Sequence, residues 1–225
     1  MLMKLQDRDR LFRETIRAEA RGYHKLKKQT GGPGQFAIVD LRIRPLARGG
    51  GFRFVNSVVE GRIPEEFMPS LEKGTREALL KGVLAGFPVI DLEVDVIDGE
   101  RHRRDSHGRD FQIAGRSAVQ DAIRAASPAL LEPVAVVEIS CPSPALGSII
   151  GLVKSRRGTI RGNDFRDGCQ LLNAEIPFLE ATAFETDLRS LTSGIGSMAV
   201  LGSTAEMVPD RLLARILEQI RKARS

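Results

Sequence analysis

Three consecutive residues, Asp105, Ser106 and His107, are the residue types from which hydrolytic enzymes build an acid–base–nucleophile triad. A triad is defined by geometry, and residues adjacent in sequence rarely converge into a hydrogen-bonded chain. An independent enzyme would also need a deep pocket that holds titratable groups with perturbed pKa values. We therefore expect no catalytic residues here and interpret the segment as a polar loop.

The sequence also contains no motif typical of a metal-binding site or a nucleotide-binding site. The three histidines and the two cysteines, Cys141 and Cys169, match no spacing typical of a metal site. The simplest interpretation of the cysteines is two small buried hydrophobic residues in a reducing compartment. A phosphate-binding P-loop requires a glycine followed by lysine, and no glycine in this chain is followed by lysine. We expect neither a metal nor a nucleotide cofactor on this chain.

Positive charge is concentrated in the first part of the chain. Residues 1–48 contain twelve Lys and Arg against five Asp and Glu, an excess of seven, whereas the whole chain has a net charge of +5. Such a segment is either a solvated charged surface or one that faces a polyanion such as RNA. The first ten residues are too charged for a signal peptide, and no stretch approaches the roughly 20 apolar residues of a membrane span. We expect a cytoplasmic protein without a membrane partner.

The first half of the chain contains elements of both kinds. Residues 1–28 are polar and predict either helix or irregular structure, and the Gly-rich stretch that follows predicts a loop. Alternation of apolar and charged residues from Phe36 to Arg44 predicts a strand. A turn at residues 49–51 and a second strand over residues 52–59 would complete a hairpin. A helix after Pro69, a strand over residues 89–97 and a helix that ends before Pro128 follow.

The second half predicts a strand–helix–strand–strand–helix–strand order, which is the ferredoxin-like arrangement. The strands are expected over residues 134–140, 159–163, 170–177 and 196–203, with helices over residues 145–157 and 179–192. Apolar residues at helical spacing after Asp210 predict a terminal amphipathic helix.

Several strings, in order and at family-like spacing, resemble domains IV and V of elongation factor G. In the first half they are Phe12–Ile16 (FRETI), Lys28–Phe36 (KQTGGPGQF), Leu71–Gly74 (LEKG), Gly86–Val89 (GFPV), Asp98-Gly99 with His102 and Asp105-Ser106, and Leu131–Pro133 (LEP). In the second half they are Ser155–Gly158 (SRRG) and Thr186–Thr192 (TDLRSLT).

The resemblance implies an α+β fold in two domains. Residues 1–131 would form a domain IV-like unit with a left-handed βαβ crossover, residues 132–208 a ferredoxin-like domain V, and residues 209–225 a C-terminal helix. The family is a ribosome-dependent GTPase that moves tRNA and mRNA. Its domain IV enters the decoding region of the small subunit, and its domain V lies near the sarcin–ricin loop of the large subunit. The expected partners are therefore the RNA of both ribosomal subunits and the tRNA–mRNA complex, bound by a monomer. GTP and Mg²⁺ are expected only in a longer parent protein, of which this chain would be a piece or a natural truncated paralogue.

The resemblance also implies which residues face RNA. By this resemblance, two loops would form the tip of domain IV. Their residue types suit that place, since glycines let the backbone approach RNA closely and amide, imidazole and guanidinium groups can contact bases and phosphates. The tip candidates are Gly31, Gly32, Gly34, Gln35, Arg101, His102, Arg103, Arg104 and Arg109. The domain V candidates, at the end of its first helix, are Lys154, Arg156 and Arg157. Cations there also suit the helix dipole, so a structural role stays open for them.

The tip departs from the family pattern at several positions. Pro33 stands where the family commonly has Arg, and Arg103-Arg104 replaces an acid and an apolar residue, so the tip becomes more basic. Leu152 and Ile195 are further departures in domain V. Three functions remain open: a translocase part, a ribosome-recycling or ribosome-protection paralogue, and a free-standing RNA-binding module.

Overall fold

A computed structural model describes residues 12–29, 34–59 and 61–224. The chain divides into two compact units, one made of Arg13–Leu130 and the other of the residues after Leu130 together with Phe12. Each unit contains its own cluster of buried apolar side chains. None of the described helices is both long enough and apolar enough to cross a membrane.

The first unit is built on a mixed four-stranded sheet. Its elements are β1 (Arg13–Ile16), β2 (Ala20–Lys28), β3 (Gln35–Pro45), β4 (Phe52–Asn56), α1 (Met68–Leu79), β5 (Leu92–Glu100) and α2 (Gly108–Ala125). The sheet order is β2-β3-β5-β4, and β4 and β5 are parallel neighbours connected through α1. This is the βαβ connection that the family resemblance implied.

The predicted hairpin of residues 36–44 with residues 52–59 is wrong. β5 lies between β3 and β4, and Phe52 pairs with Leu92 rather than with a residue of β3. Leu92, Val94 and Val96 are completely buried because β5 is a central strand. The hydrophobic pattern shows that a strand is half-buried, but it does not show which strand lies beside it.

Strand β2 falls where the sequence predicted helix or irregular structure. β2 pairs antiparallel with β3, and Gly22 faces the helix layer, since a Cβ at this position would lie 2.1 Å from the carbonyl oxygen of Ala118. The inward positions of β2 are Ala20, Gly22, His24 and Leu26, which give only a weak apolar alternation. Close backbone packing thus replaced the large side chains by which a strand is usually recognised.

Helices α1 and α2 are also in close backbone contact. A Cβ at Gly74 of α1 would lie 2.0 Å from the carbonyl oxygen of Gln112 in α2. Leu71, Phe111 and Ala118 are completely buried between these helices and the sheet. Gly74 therefore lets the two helices pack backbone to backbone, as Gly22 does for β2 and α2.

The Glu14 carboxylate is completely buried in a loop of backbone amides. It accepts hydrogen bonds from the N–H groups of Leu84 at 2.9 Å, Ala85 at 2.9 Å and Phe87 at 3.1 Å. On the same strand, the Thr15 hydroxyl donates to the carbonyl oxygen of Ile90 at 2.9 Å. These contacts attach the loop after α1 to β1.

The second unit has the predicted ferredoxin-like order. Its elements are β6 (Pro128–Pro142, whose first three residues belong to the first unit), α3 (Leu146–Ser155), β7 (Thr159–Arg166), β8 (Cys169–Pro177), α4 (Phe178–Leu191), β9 (Ser197–Met207) and α5 (Asp210–Arg224). In this unit the strands run in the order β9-β6-β8-β7, and all three pairs are antiparallel. β6 begins before the Leu131–Pro133 string, so this string lies within a strand, and the division between the two units falls at its first residue.

The two cysteines lie on neighbouring strands and are both free thiols. Cys141 of β6 is opposite Gln170, while Cys169 of β8 is opposite Pro142, so the two side chains face opposite sides of the sheet. Only Cys141 is buried, and burial raises the pKa of its thiol. The expectation that both are buried therefore fits Cys141 and not Cys169, which is partly exposed.

Candidate nucleic-acid interface

Two connections of the first unit meet at one end of its sheet. Gly34 and Gln35 lead into β3, and residues 101–107 connect β5 to α2. The Phe36 N–H donates to the carbonyl oxygen of Asp105 at 2.9 Å, and the Ser106 hydroxyl donates to the carbonyl oxygen of Phe36 at 2.6 Å. We call residues 34–36 together with 101–107 the tip. Gly31, Gly32 and Pro33 lie outside the described residues.

Gly34 is in close contact with the second loop. It is buried, and a Cβ there would lie 2.7 Å from Cγ of Asp105. Any side chain at position 34 would therefore push the Asp105 carboxylate from its position. The glycine is explained by this close approach between the two loops.

His102 is positioned by contacts on several sides. Its Nδ1 lies 2.9 Å from the Asp105 carboxylate, and its ring lies 6.1 Å from the Phe36 ring, centroid to centroid. The His102 N–H donates to the Ser106 hydroxyl at 2.8 Å. The imidazole nevertheless remains 54% exposed, so it is oriented and also available for a partner.

The arginines of the tip carry charge that no residue in the described ranges neutralises. Arg101, Arg103 and Arg104 are exposed, as is Arg109 in the first turn of α2. None of the four side chains forms an ion pair with a residue in the described ranges. Unpaired, exposed guanidinium groups are suited to phosphate oxygens, which they contact through two parallel hydrogen bonds.

Most arginines of the sheet, in contrast, are neutralised. The arginines on the exposed side of β3, of β4 and of the segment between them form ion pairs with acidic residues. These acids are two residues of β5 and Asp91, which directly precedes β5. The pairs are Arg42–Asp95 at 2.8 Å, Arg44–Glu93 at 3.0 Å, Arg48–Asp91 at 2.9 Å and Arg53–Glu93 at 3.2 Å. Three of the twelve cations in residues 1–48 are therefore held by ion pairs with these acids. The sequence did not show this, because the acids that pair with Arg42, Arg44 and Arg48 lie more than forty residues further along the chain.

The Asp105-Ser106-His107 segment is not arranged as a triad. The Ser106 hydroxyl donates to a backbone carbonyl, and His107 precedes the first residue of α2. The Asp110 carboxylate accepts from the His107 N–H at 2.8 Å and lies 3.3 Å from its Nδ1. These groups close the loop and cap the helix. Among the described residues, no group of three or more His, Cys, Asp or Glu side chains could hold a metal ion.

The domain V candidates lie at the end of α3 and differ in their contacts. Arg157 holds the Glu132 carboxylate through two hydrogen bonds of 2.6 and 3.0 Å, and its side chain is only 19% exposed. Arg156 pairs with Asp187 at 2.5 Å. Both guanidinium groups therefore stabilise the second unit in this conformation. Lys154 is exposed and lines a pocket of about 450 Å³, which also includes Arg157.

The two units define a class of protein: an α+β protein with a mixed βαβ sheet, a ferredoxin-like unit and a basic, hydrogen-bonded tip. Residues 11–127 match elongation factor G, domain IV, and residues 129–219 match the elongation factor G C-terminus. The chain is 43% identical over 206 residues to elongation factor G of Aquifex pyrophilus, covering 92% of this chain and 30% of that protein. A crystal structure of a protein from Thermus thermophilus is similar with a TM-score of 0.82 and 34% identity, covering 99% of this chain and 32% of that one.

The chain belongs to the elongation factor G family, and it matches that family over domain IV and the C-terminus. It spans about a third of the length of these two relatives. The resemblance inferred from the sequence strings is therefore confirmed.

Proposed function

We propose that this chain binds the ribosome and places its tip in the decoding region, where it promotes movement of tRNA and mRNA. Family membership supports a role in translation. The observation that carries the proposal is the tip itself, in which two hydrogen-bonded loops present His102, Arg101, Arg103 and Arg104 to solvent. Within the described residues, the three arginines have no intramolecular ion pair.

The geometry suits a steric role better than a chemical one. The hydrogen bonds between the loops, from the Phe36 N–H to the Asp105 carbonyl oxygen at 2.9 Å and from the Ser106 hydroxyl to the Phe36 carbonyl oxygen at 2.6 Å, give the tip a fixed shape that can block backward movement of a bound RNA. The arginines supply attraction to phosphates, which depends on salt. His102 is placed to stack on a base or donate a hydrogen bond to it.

Energy for directed movement must come from elsewhere. In this proposal a GTPase domain joined to these two units supplies it, with GTP and Mg²⁺ bound there. The described units contribute position and shape.

Co-sedimentation with ribosomes at two salt concentrations, with intact elongation factor G as competitor, tests the proposal. We expect saturable binding that the competitor displaces. Binding that disappears at modest salt and ignores the competitor would indicate nonspecific RNA affinity and would refute the ribosomal site.

Charge-matched variants test whether the tip contributes to ribosome binding. Arg103→Gln with Arg104→Gln removes two cations from the tip, and Lys73→Gln with Arg116→Gln removes two cations from α1 and α2. We expect the tip variant to bind ribosomes several-fold more weakly and the helix variant to bind like the parent chain. Equal loss in both would mean that net charge, and not the tip, determines binding.

A further inference from the structure

The outward face of β2 carries a row of cations around the only tyrosine of the chain. Arg21, Tyr23, Lys25 and Lys27 are all exposed and alternate with the inward positions, so their side chains leave the same face of the sheet. Tyr23 is 55% exposed. β2 is an edge strand of the four-stranded sheet. We call these four residues the β2 stripe.

The β2 stripe differs from the rest of the sheet in its charge balance. Arg21 pairs with Asp40 at 2.7 Å. Lys25 and Lys27 form no ion pair with any residue in the described part of the chain, and the residues opposite them on β3 are Ile38 and Phe36. Of the acids of β5, Glu93 and Asp95 pair with arginines of β3 and β4, and Asp98 pairs with Arg62. The two lysines therefore have no ion-pair partner among the described residues.

We propose that the β2 stripe binds a single RNA strand, with Lys25 and Lys27 on successive phosphates and Tyr23 stacked on an unpaired base. Side chains on one face of a strand repeat about every 7 Å, which places the cations in a regular row. Cations that follow the backbone and an aromatic ring that stacks on a base are the two elements of single-strand recognition. An exposed tyrosine followed by lysines supplies both.

The β2 stripe continues into the tip. Lys27 is opposite Phe36, whose ring contacts His102, and Lys28 is opposite Gln35. An RNA strand on the stripe would therefore run along β2 and leave next to the tip loops. The inference concerns a second surface and does not depend on where the tip binds.

The aromatic composition of the chain allows RNA contact at Tyr23 to be measured directly by fluorescence. The chain has no tryptophan and one tyrosine, so fluorescence excited at wavelengths that its ten phenylalanines do not absorb comes from Tyr23. Titration of the chain with an unstructured mixed-sequence RNA oligonucleotide, with a free tyrosine derivative as the absorption control, reports contact at this residue. We expect saturable quenching of Tyr23 emission beyond the control.

Substitutions separate the two roles within the β2 stripe. With the same RNA carrying a dye, anisotropy should show that Tyr23→Ser binds at least about fivefold more weakly, while Tyr23→Phe, which keeps a stacking ring, binds like the parent. Lys25→Gln with Lys27→Gln should reduce the slope of log affinity against log salt by about 1.4, since each phosphate contact on a single strand contributes about 0.7. The Lys73→Gln, Arg116→Gln variant is the charge-matched control.

Several results would overturn the inference. RNA binding without quenching of Tyr23, no RNA binding, or equal weakening by the stripe and control variants would each do so. Lysines on an edge strand can also serve only to prevent strand-to-strand aggregation. In that case the double lysine variant would self-associate in sedimentation velocity while its affinity for RNA stayed unchanged. A tip variant, Arg103→Gln with Arg104→Gln, should still show Tyr23 quenching, which distinguishes failure of this surface from failure of the ribosomal site.

Discussion

Asp95 is the residue on which the charged face of the first sheet depends. It is 2% exposed, and its Oδ2 accepts from Arg42 at 2.8 Å and from Arg44 at 3.2 Å. Burial raises the pKa of this carboxyl group, but hydrogen bonds from Ser57 and Arg42, together with the positive charges of Arg42 and Arg44, outweigh burial, so the pKa is lowered overall. A lowered pKa in the folded state stabilises the protein above the unfolded value, and this contribution is lost as the pH falls through the folded pKa.

Asp95→Asn should reduce the free energy of unfolding by about 1–3 kcal/mol at neutral pH, since it removes a charged hydrogen-bond acceptor from two arginines. The difference from the parent should shrink below about pH 4, where the parent begins to lose the same contribution. Urea unfolding at a series of pH values measures both. Asp121→Asn, in the exposed pair with Arg124, is the control and should change stability by less than about 0.5 kcal/mol. A loss that is equal at all pH values would contradict the electrostatic explanation.

Single residues also show how far the sequence could predict the site. The meeting of Gly34 with the His102 loop followed from family strings, and the structure shows the physical reason in the contact with Asp105. The sequence could not show that Arg156 and Arg157 are held by acids, because Asp187 and Glu132 lie 31 and 25 residues away. A local sequence pattern does not show which distant acid will pair with a given arginine.

Close contact between α1 and α2 depends on Gly74, and this predicts an unusual response to alanine. Alanine normally stabilises a helix interior relative to glycine by about 1 kcal/mol. At Gly74 the new methyl group would meet the backbone of Gln112, so we expect a net loss of about 1–3 kcal/mol. Gly151→Ala in α3, where an added methyl group would enter open space, is the matched control and should be neutral or stabilising. Thermal unfolding of both variants tests this; a stable Gly74→Ala protein would show that the helices can move apart at little cost.

Elements were predictable where apolar alternation was strong. β3 and β5 have large buried residues at every second position, and both were expected as strands, although β5 begins and ends three residues later than predicted. β2 was missed because its inward side is small, and the neighbour of β4 was misassigned because pairing is a non-local property. The strand and helix order of the second unit was predicted in full.

At the scale of the whole molecule, the two separate cores predict independent local stability. Gly74→Ala should increase amide hydrogen exchange in β3 and β5 of the first unit and leave β8 of the second unchanged. Hydrogen exchange followed by mass spectrometry measures this segment by segment. Equal acceleration in both units would mean that they unfold as one cooperative body.

The buried Glu14 carboxylate has a consequence for synthesis of the chain. Its three amide partners lie 70 to 73 residues further along, and the Thr15 partner lies 75 residues further along. A nascent chain cannot satisfy the Glu14 charge until it has been extended through Phe87, and closing so long a loop costs entropy before any contact compensates for it. Until then Glu14 must stay hydrated, which keeps β1 from docking. The opening strand of the first unit is therefore placed only after most of that unit has emerged from the ribosome.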